Sequence, residues 1–156
     1  MKQLMYLFAS LALVAMFSNC QEDIEDIPFI EYSLEGTPGE ENLARWVNLD
    51  YDEKSYNAKI LVINSDSELQ KYAEGDYLPI DFTKKTLILA YGCLSGGFLK
   101  KDVKFQYVSN QNYVMTASGT QTLAAVIAKW QVAIIVEKLP HNSKIQFNLI
   151  TKTTES

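Results

Sequence analysis

The sequence predicts a mainly-β domain, a small β-sandwich or partly open barrel carrying one short helix. Three observations predict it. Strand-length runs rich in Val, Ile and aromatic residues recur from Ala58 to Thr151. Turn-forming clusters at Thr83-Lys84-Lys85, Asn110-Gln111-Asn112 and Pro140-His141-Asn142-Ser143 punctuate them. A single segment opens like a helix, at Ser65.

Taken in order, Phe29–Ser33 alternates apolar and polar residues and reads as a short strand, and Leu43–Leu49 reads as another. Ala58–Asn64 carries β-branched residues at its centre and is a third. Ser65 and Glu68 stand at capping-box spacing, where the hydroxyl accepts from a helix-start N–H and the carboxylate reaches back. A helix over Ser67–Glu74 follows, ended by Gly75. Thr86–Tyr91 is almost wholly apolar, so it is expected to be buried on both faces. Phe98–Ser109 and Tyr113–Ala117 form a hairpin, with Ser118-Gly119-Thr120 read as the next turn. Leu123–Ala128 has helical propensity, whereas Trp130–Glu137 is rich in Val and Ile and reads as a central strand. Lys144–Thr151 alternates as the last strand.

The N-terminus has its own grammar. Lys2 precedes an apolar run from Leu4 to Phe17 that only Ser10 interrupts. This is a signal-peptide pattern, and it stops short of the ~20 apolar residues that span a bilayer. The polar pair Ser18–Asn19 leads into Cys20, where a lipoprotein signal peptidase cuts and the thiol is acylated; an ordinary secretory signal, the alternative, would want small residues at an Ala-x-Ala site that is not found there. Residues 1–19 therefore read as a lipoprotein signal peptide, Cys20 as the lipid anchor, 20–42 as anchor and tether, and 43–156 as the domain. Gln21-Glu22-Asp23-Ile24-Glu25-Asp26 resembles the acidic signal that sends Bacteroidetes lipoproteins to the outer face of the outer membrane. The address implied is the outer membrane, at the cell surface or on its periplasmic face.

Charge separates tether from domain. Loss of Lys2 with the signal peptide takes the net charge from −5 (14 bases, 19 acids) to −6 (13 bases, 19 acids). Between Gln21 and Asn42 lie eight acids and no base, while from Leu43 onward 11 acids face 13 bases. The acidic stretch, with Pro28, Gly36, Pro38 and Gly39, is a solvated spacer by composition. A near-neutral domain without a basic stripe argues against nucleic acid as a partner. With Cys20 lipidated, Cys93 has no disulfide partner, so the fold rests on its core.

Chemistry is sparse. His141 is the only histidine and sits in a turn, so every triad or Cys/His site would have to use it. Neither it nor Cys93 has a supporting motif, and the sequence implies no enzyme. A zinc site would have one His and one Cys without paired spacing. Asp50, Asp52 and Glu53 lack EF-hand spacing and read as a solvated turn. No cofactor or metal is implied. Nine tyrosines and two tryptophans could stack on glycans, although Trp46 and Trp130 lie in predicted strands. The unusual segment is Gly92-Cys93-Leu94-Ser95-Gly96-Gly97-Phe98. Three glycines straight after a buried strand mean either a bulged connection in a curved sheet or a loop whose backbone approaches a partner. Gly92, Ser95, Gly96, Gly97 and Phe98 are the candidate binding residues.

These residues also carry a family resemblance. Ser65 to Leu69 opens a helix; Ile80-Asp81-Phe82-Thr83-Lys84-Lys85 leads into the buried strand; Gly92 and then Ser95-Gly96-Gly97-Phe98 follow. Together they resemble the C-terminal domain of PrcB-type lipoproteins, where Asp-Phe, a hydrophobic strand and a Thr-Gly-Gly-Tyr turn occur in that order. Ser95 stands for the family's Thr and Phe98 for its Tyr. The resemblance spans roughly residues 58–150 and implies a β-rich, non-catalytic module that stabilises a surface protease complex. The anchor, the tether and the absence of a catalytic set lead to the expectation of a protein-binding or scaffolding lipoprotein using the Gly92–Phe98 loop; the surface address and the tyrosine content give the alternative, a glycan-binding accessory of an outer-membrane uptake system.

Overall fold

The computed structural model describes residues 24–34, 44–122 and 124–153. The signal peptide, Cys20 and most of the tether lie outside them. The described strands, in chain order, are β1 (Glu25–Asp26), β2 (Ile30–Tyr32), β3 (Arg45–Trp46), β4 (Lys59–Ile63), β5 (Ala73–Glu74), β6 (Lys85–Ser95), β7 (Phe98–Ser109), β8 (Asn112–Gln121), β9 (Ile127–Glu137) and β10 (Lys144–Thr153). One short helix, α1 (Asp66–Leu69), lies between β4 and β5.

Two four-stranded sheets, ordered β1-β7-β8-β10 and β2-β9-β6-β4, form a small β-sandwich. The sheets are not closed into a barrel. Register explains how the sandwich arises. From Lys85↔Glu137 to Ser95↔Ile127 the strands β6 and β9 pair in the second sheet, and from Phe98↔Gln121 to Ser109↔Asn112 the strands β7 and β8 pair in the first. β6–β7 and β9–β8 are thus the two legs of one long hairpin, folded over on itself at Gly96–Gly97. Its tip is Asn110–Gln111, both at positive φ (47° and 64°), as a two-residue turn matched to strand twist requires.

The fold-over buries side chains alternately. Ile88 and Ala90 of β6 and Trp130, Val132, Ile134 and Val136 of β9 face Val103, Phe105, Tyr113, Met115 and Ala117 of the first sheet. On the other face of the second sheet, Leu87, Leu89, Tyr91, Ile63 and Ala133 pack under a cover of α1, the β3–β5 ribbon and loops, through Leu69, Ala73, Ile80 and Phe82. β6 is therefore covered on both faces, as its apolar run predicts. Each fully buried Leu or Ile there contributes about 1.5–3 kcal/mol.

Several expectations are corrected. The segment read as tether supplies β1 besides β2, the latter within the strand expected at Phe29–Ser33, and packs Ile27 and Phe29 into the inter-sheet core and Tyr32 and Leu34 into the other. The packed domain thus begins well before residue 43, because an apolar residue every second position outweighs the acidic composition. The helix is shorter than Ser67–Glu74: after Leu69 the bonds Lys71 N–H to Glu68 O and Tyr72 N–H to Leu69 O tighten the turn, and Ala73–Glu74 pairs with Arg45–Trp46. Its cap is as expected at Ser65, whose Oγ accepts from Glu68 N (3.2 Å), while the Glu68 carboxylate accepts from Asn64 N (2.7 Å). Ser118-Gly119-Thr120 is strand, not turn, since Gly119 leaves room for Phe98: a Cβ there would lie 2.5 Å from the ring. Of Leu123–Ala128, Leu123 lies outside the described residues; Ala124–Val126 form an irregular corner and Ile127–Ala128 begin β9, rather than a helix, because the pairing of β8 and β9 fixes their neighbours. β10 runs parallel to β8, with β9 of the opposite sheet between them in sequence.

Candidate functional site: the glycine corner

The predicted binding loop is the corner at which the long hairpin changes sheets. Between Ser95↔Ile127 and Phe98↔Gln121, two residues on one leg oppose five on the other, 122–126. The longer leg has to bulge. Gly96 N–H donates to Val126 O (2.7 Å), Thr122 N–H to Gly97 O (2.9 Å), and Gly97 N–H to Thr122 Oγ1 (2.8 Å). Gln121 Nε2 donates to Ser95 O (2.6 Å). These bonds pair backbone groups of Ser95, Gly96, Gly97, Thr122 and Val126 where the ladder is interrupted.

The glycines answer to this geometry. Gly96 has φ +86°, and a Cβ on it would sit 1.8 Å from Thr122 O. Gly92 leaves room for the Trp130 indole, which a Cβ would approach to 2.9 Å. Trp130 meets Phe98 edge-on at 6.1 Å and stacks on Phe147 at 5.4 Å. Gly92 and Gly96 are buried, and Gly97 and Phe98 half-buried; of the five candidates Ser95 alone is exposed. The candidates are therefore brought together by one corner, with most of their surface turned inward. Bulky replacements at Gly96 would break the corner before they tested any contact.

What the corner offers to solvent comes from its other leg. Ala124, Ala125, Val126 and Ile127 are all exposed, Val126 to 62% and Ile127 to 47%, and Leu99 on the following strand to 62%. An exposed aliphatic stretch of this kind is the informative departure from ordinary burial. Sequence reasoning missed these residues because Leu123–Ala128 reads as helical by propensity, which would bury one side of it. The short polar-free segment Ala124–Ile127, lying between two strand-length blocks, was the available signal.

The other reactive groups are placed elsewhere. Cys93 is buried without accessible surface; burial pushes its thiol up, and the Glu53 charge adds to this. A thiol so placed is a poor nucleophile. His141 is exposed in the turn where Ser143 N–H donates to Pro140 O (3.0 Å). Asp52 accepts from the hydroxyl and N–H of Ser55 and the N–H of Lys54, which hold its carboxyl below the usual range. Asp50 instead pairs with Lys59 at 2.6 Å. Among the described residues no three His, Cys, Asp or Glu side chains are placed to hold a metal, and no helix is long and apolar enough to cross a membrane.

A cleft of about 250 Å³ opens beside the β2 end of the second sheet, lined by Tyr32, Arg45, Trp46 and Gln131 among others. Tyr32 and Trp46 meet edge-on at 6.3 Å, Tyr32 Oη donates to Leu78 O (3.2 Å), and Arg45 pairs with Glu74 at 2.9 Å.

Comparison of the chain with protein-family models, with curated proteins and with solved structures returned no match.

Proposed function

We propose that this protein is a non-catalytic, lipid-anchored protein of the outer membrane, displayed at the cell surface, that docks a protein partner at the glycine corner. The observation that carries this reading is the exposed stretch Ala124–Ile127 at a corner that hydrogen bonds tie to the glycine leg at Thr122 and Val126. Aliphatic side chains held on a hydrogen-bonded corner give a partner apolar surface at a reduced ordering cost, which supports binding. The resemblance of Ile80–Phe98 to PrcB-type lipoproteins makes a secreted protease complex the partner class, held or stabilised rather than cleaved. Cys20 supplies the membrane attachment.

The test replaces Val126 and Ile127 with Asp in the full, anchored chain. The far-ultraviolet spectrum stays that of wild type, while the protein that co-purifies with wild type after cross-linking in intact cells is lost. Capture that persists in the double variant overturns the corner as the contact.

A second reading, glycan binding, is favoured by the Tyr32–Trp46 cleft with its Arg45 and Gln131 side chains. Retardation in polysaccharide gels that Trp46→Ala abolishes would support it, and no retardation on any polysaccharide would remove it.

A further inference from the structure

The register of the first strand says which end of the domain the anchor leaves from. β1 pairs antiparallel with β7 through Glu25↔Tyr107 and Asp26↔Gln106, and Ile27 N–H then donates to Phe105 O at 2.8 Å. Followed towards the C-terminus, this segment runs along β7 in the direction of the glycine corner. From Asp26 back to Glu25 it runs in the direction of the Asn110–Gln111 tip. The turn after β9 lies at that same end, where Lys144 N–H donates to Gln111 O (2.9 Å).

Chain length limits the rest. Five residue steps separate Cys20 from Glu25, at most about 18 Å when fully extended. Leu99 lies eight residues along β7 from Tyr107, a distance of about 26 Å at strand rise, on the side away from the anchor. The chemistry of the two ends also differs. Asn110, Gln111, His141, Asn142 and Lys144 are exposed and polar, suited to rest on lipid headgroups. The corner end carries the exposed aliphatic residues Leu99, Val126 and Ile127.

We infer that the domain stands with its Asn110–Gln111 and Pro140–Ser143 end against the surface of the anchoring membrane and its glycine corner directed away from it. This rests on the lipidation of Cys20 proposed above and deepens it: the anchor sets the docking corner outward, where a partner can reach it and the bilayer does not cover it.

The experiment uses the acylated full chain in phosphatidylethanolamine–phosphatidylglycerol vesicles containing a headgroup-labelled acceptor lipid. A donor dye is attached to His141→Cys or to Val126→Cys, both exposed positions; Cys93 is buried and stays unlabelled. Metabolic labelling with palmitate, compared with Cys20→Ser, is done first. Absence of label sinks the anchor and the orientation with it. In the acylated chain, the donor at residue 141 is quenched several-fold more than the donor at 126. Equal quenching, or stronger quenching at 126, overturns the orientation alone, with the anchor established by the palmitate label.

Discussion

Replacing Gly96 with alanine puts the fold-over of the long hairpin to its hardest test. Gly96 has φ +86°, and the added Cβ would fall 1.8 Å from Thr122 O, 3.0 Å from its carbonyl carbon and 3.1 Å from Ala124 N. None of these is the far end of a flexible side chain, so backbone has to move. A left-handed conformation costs a non-glycine residue about 1–2 kcal/mol. Relieving the clash displaces the 122–126 leg, and with it the bonds from Gly96 N–H to Val126 O and from Thr122 N–H to Gly97 O, each worth roughly 1 kcal/mol net. The expected total is about 3–5 kcal/mol, a large part of the ~5–15 kcal/mol that holds a domain together. Gly97→Ala is the control, because its Cβ would meet only the Thr122 hydroxyl, at 2.9 Å, and the expected cost is at most about 1–2 kcal/mol. Urea unfolding followed by tryptophan fluorescence reads both, since Trp130 passes from burial to water. If Gly96→Ala unfolds within about 1 kcal/mol of wild type, the corner is not the constraint described and the reasoning fails.

Three further outcomes follow from the interior. Trp130 Nε1 is buried without a hydrogen-bond partner among the described residues, so Trp130→Phe should cost less than about 1.5 kcal/mol, whereas Trp130→Ala, which empties the space between Phe98 and Phe147, should cost about 3–5 kcal/mol; equal losses in urea unfolding would contradict this. Burial, with a smaller contribution from Tyr77, pushes the Tyr32 phenol from 10.0 up to about 12. The unfolded phenol ionises first on raising pH, so this contribution is intact below pH 10.0 and is lost as the pH climbs towards 12. Tyr32→Phe should therefore flatten the alkaline decline of stability, and an unchanged slope would refute the assignment. Cys93 should resist a thiol reagent in the native protein and react stoichiometrically in denaturant, and rapid native modification would mean that β6 is not covered on both faces.

Much of this fold is legible residue by residue, and the failures share a cause. β4, β6, β7 and the Trp130–Glu137 part of β9 announce themselves because β-branched and aromatic residues there serve burial on one or both faces. Ser65 announces the helix start because capping is local chemistry. What stays hidden depends on distant neighbours. Gly119 reads as a turn residue until Phe98 is seen above it. Nothing in Lys144–Thr151 says that its partner runs parallel and two strands earlier. The acidic composition around Glu25 hides β1, while the alternation at Phe29–Ser33 shows β2 but not that its residues plug the cores.

The candidate site was legible as a place but not as a surface. Three glycines near Ser95 mark a position with special backbone demands, and the structure identifies those demands as the change of sheet. The exposed residues Val126 and Ile127 are about thirty positions further along, joined to Gly96 and Ser95 only by pairing. No local pattern could bring them to the same corner.

The most direct test of docking at this corner is site-specific photocross-linking in intact cells. A photoreactive residue replaces Val126 in the anchored chain, and another replaces Asn148, exposed on the outer face of the first sheet, as the comparison. The account predicts one discrete protein adduct from position 126 and none from 148. An adduct from 148 with none from 126 would contradict it and move the contact to the opposite side of the sandwich.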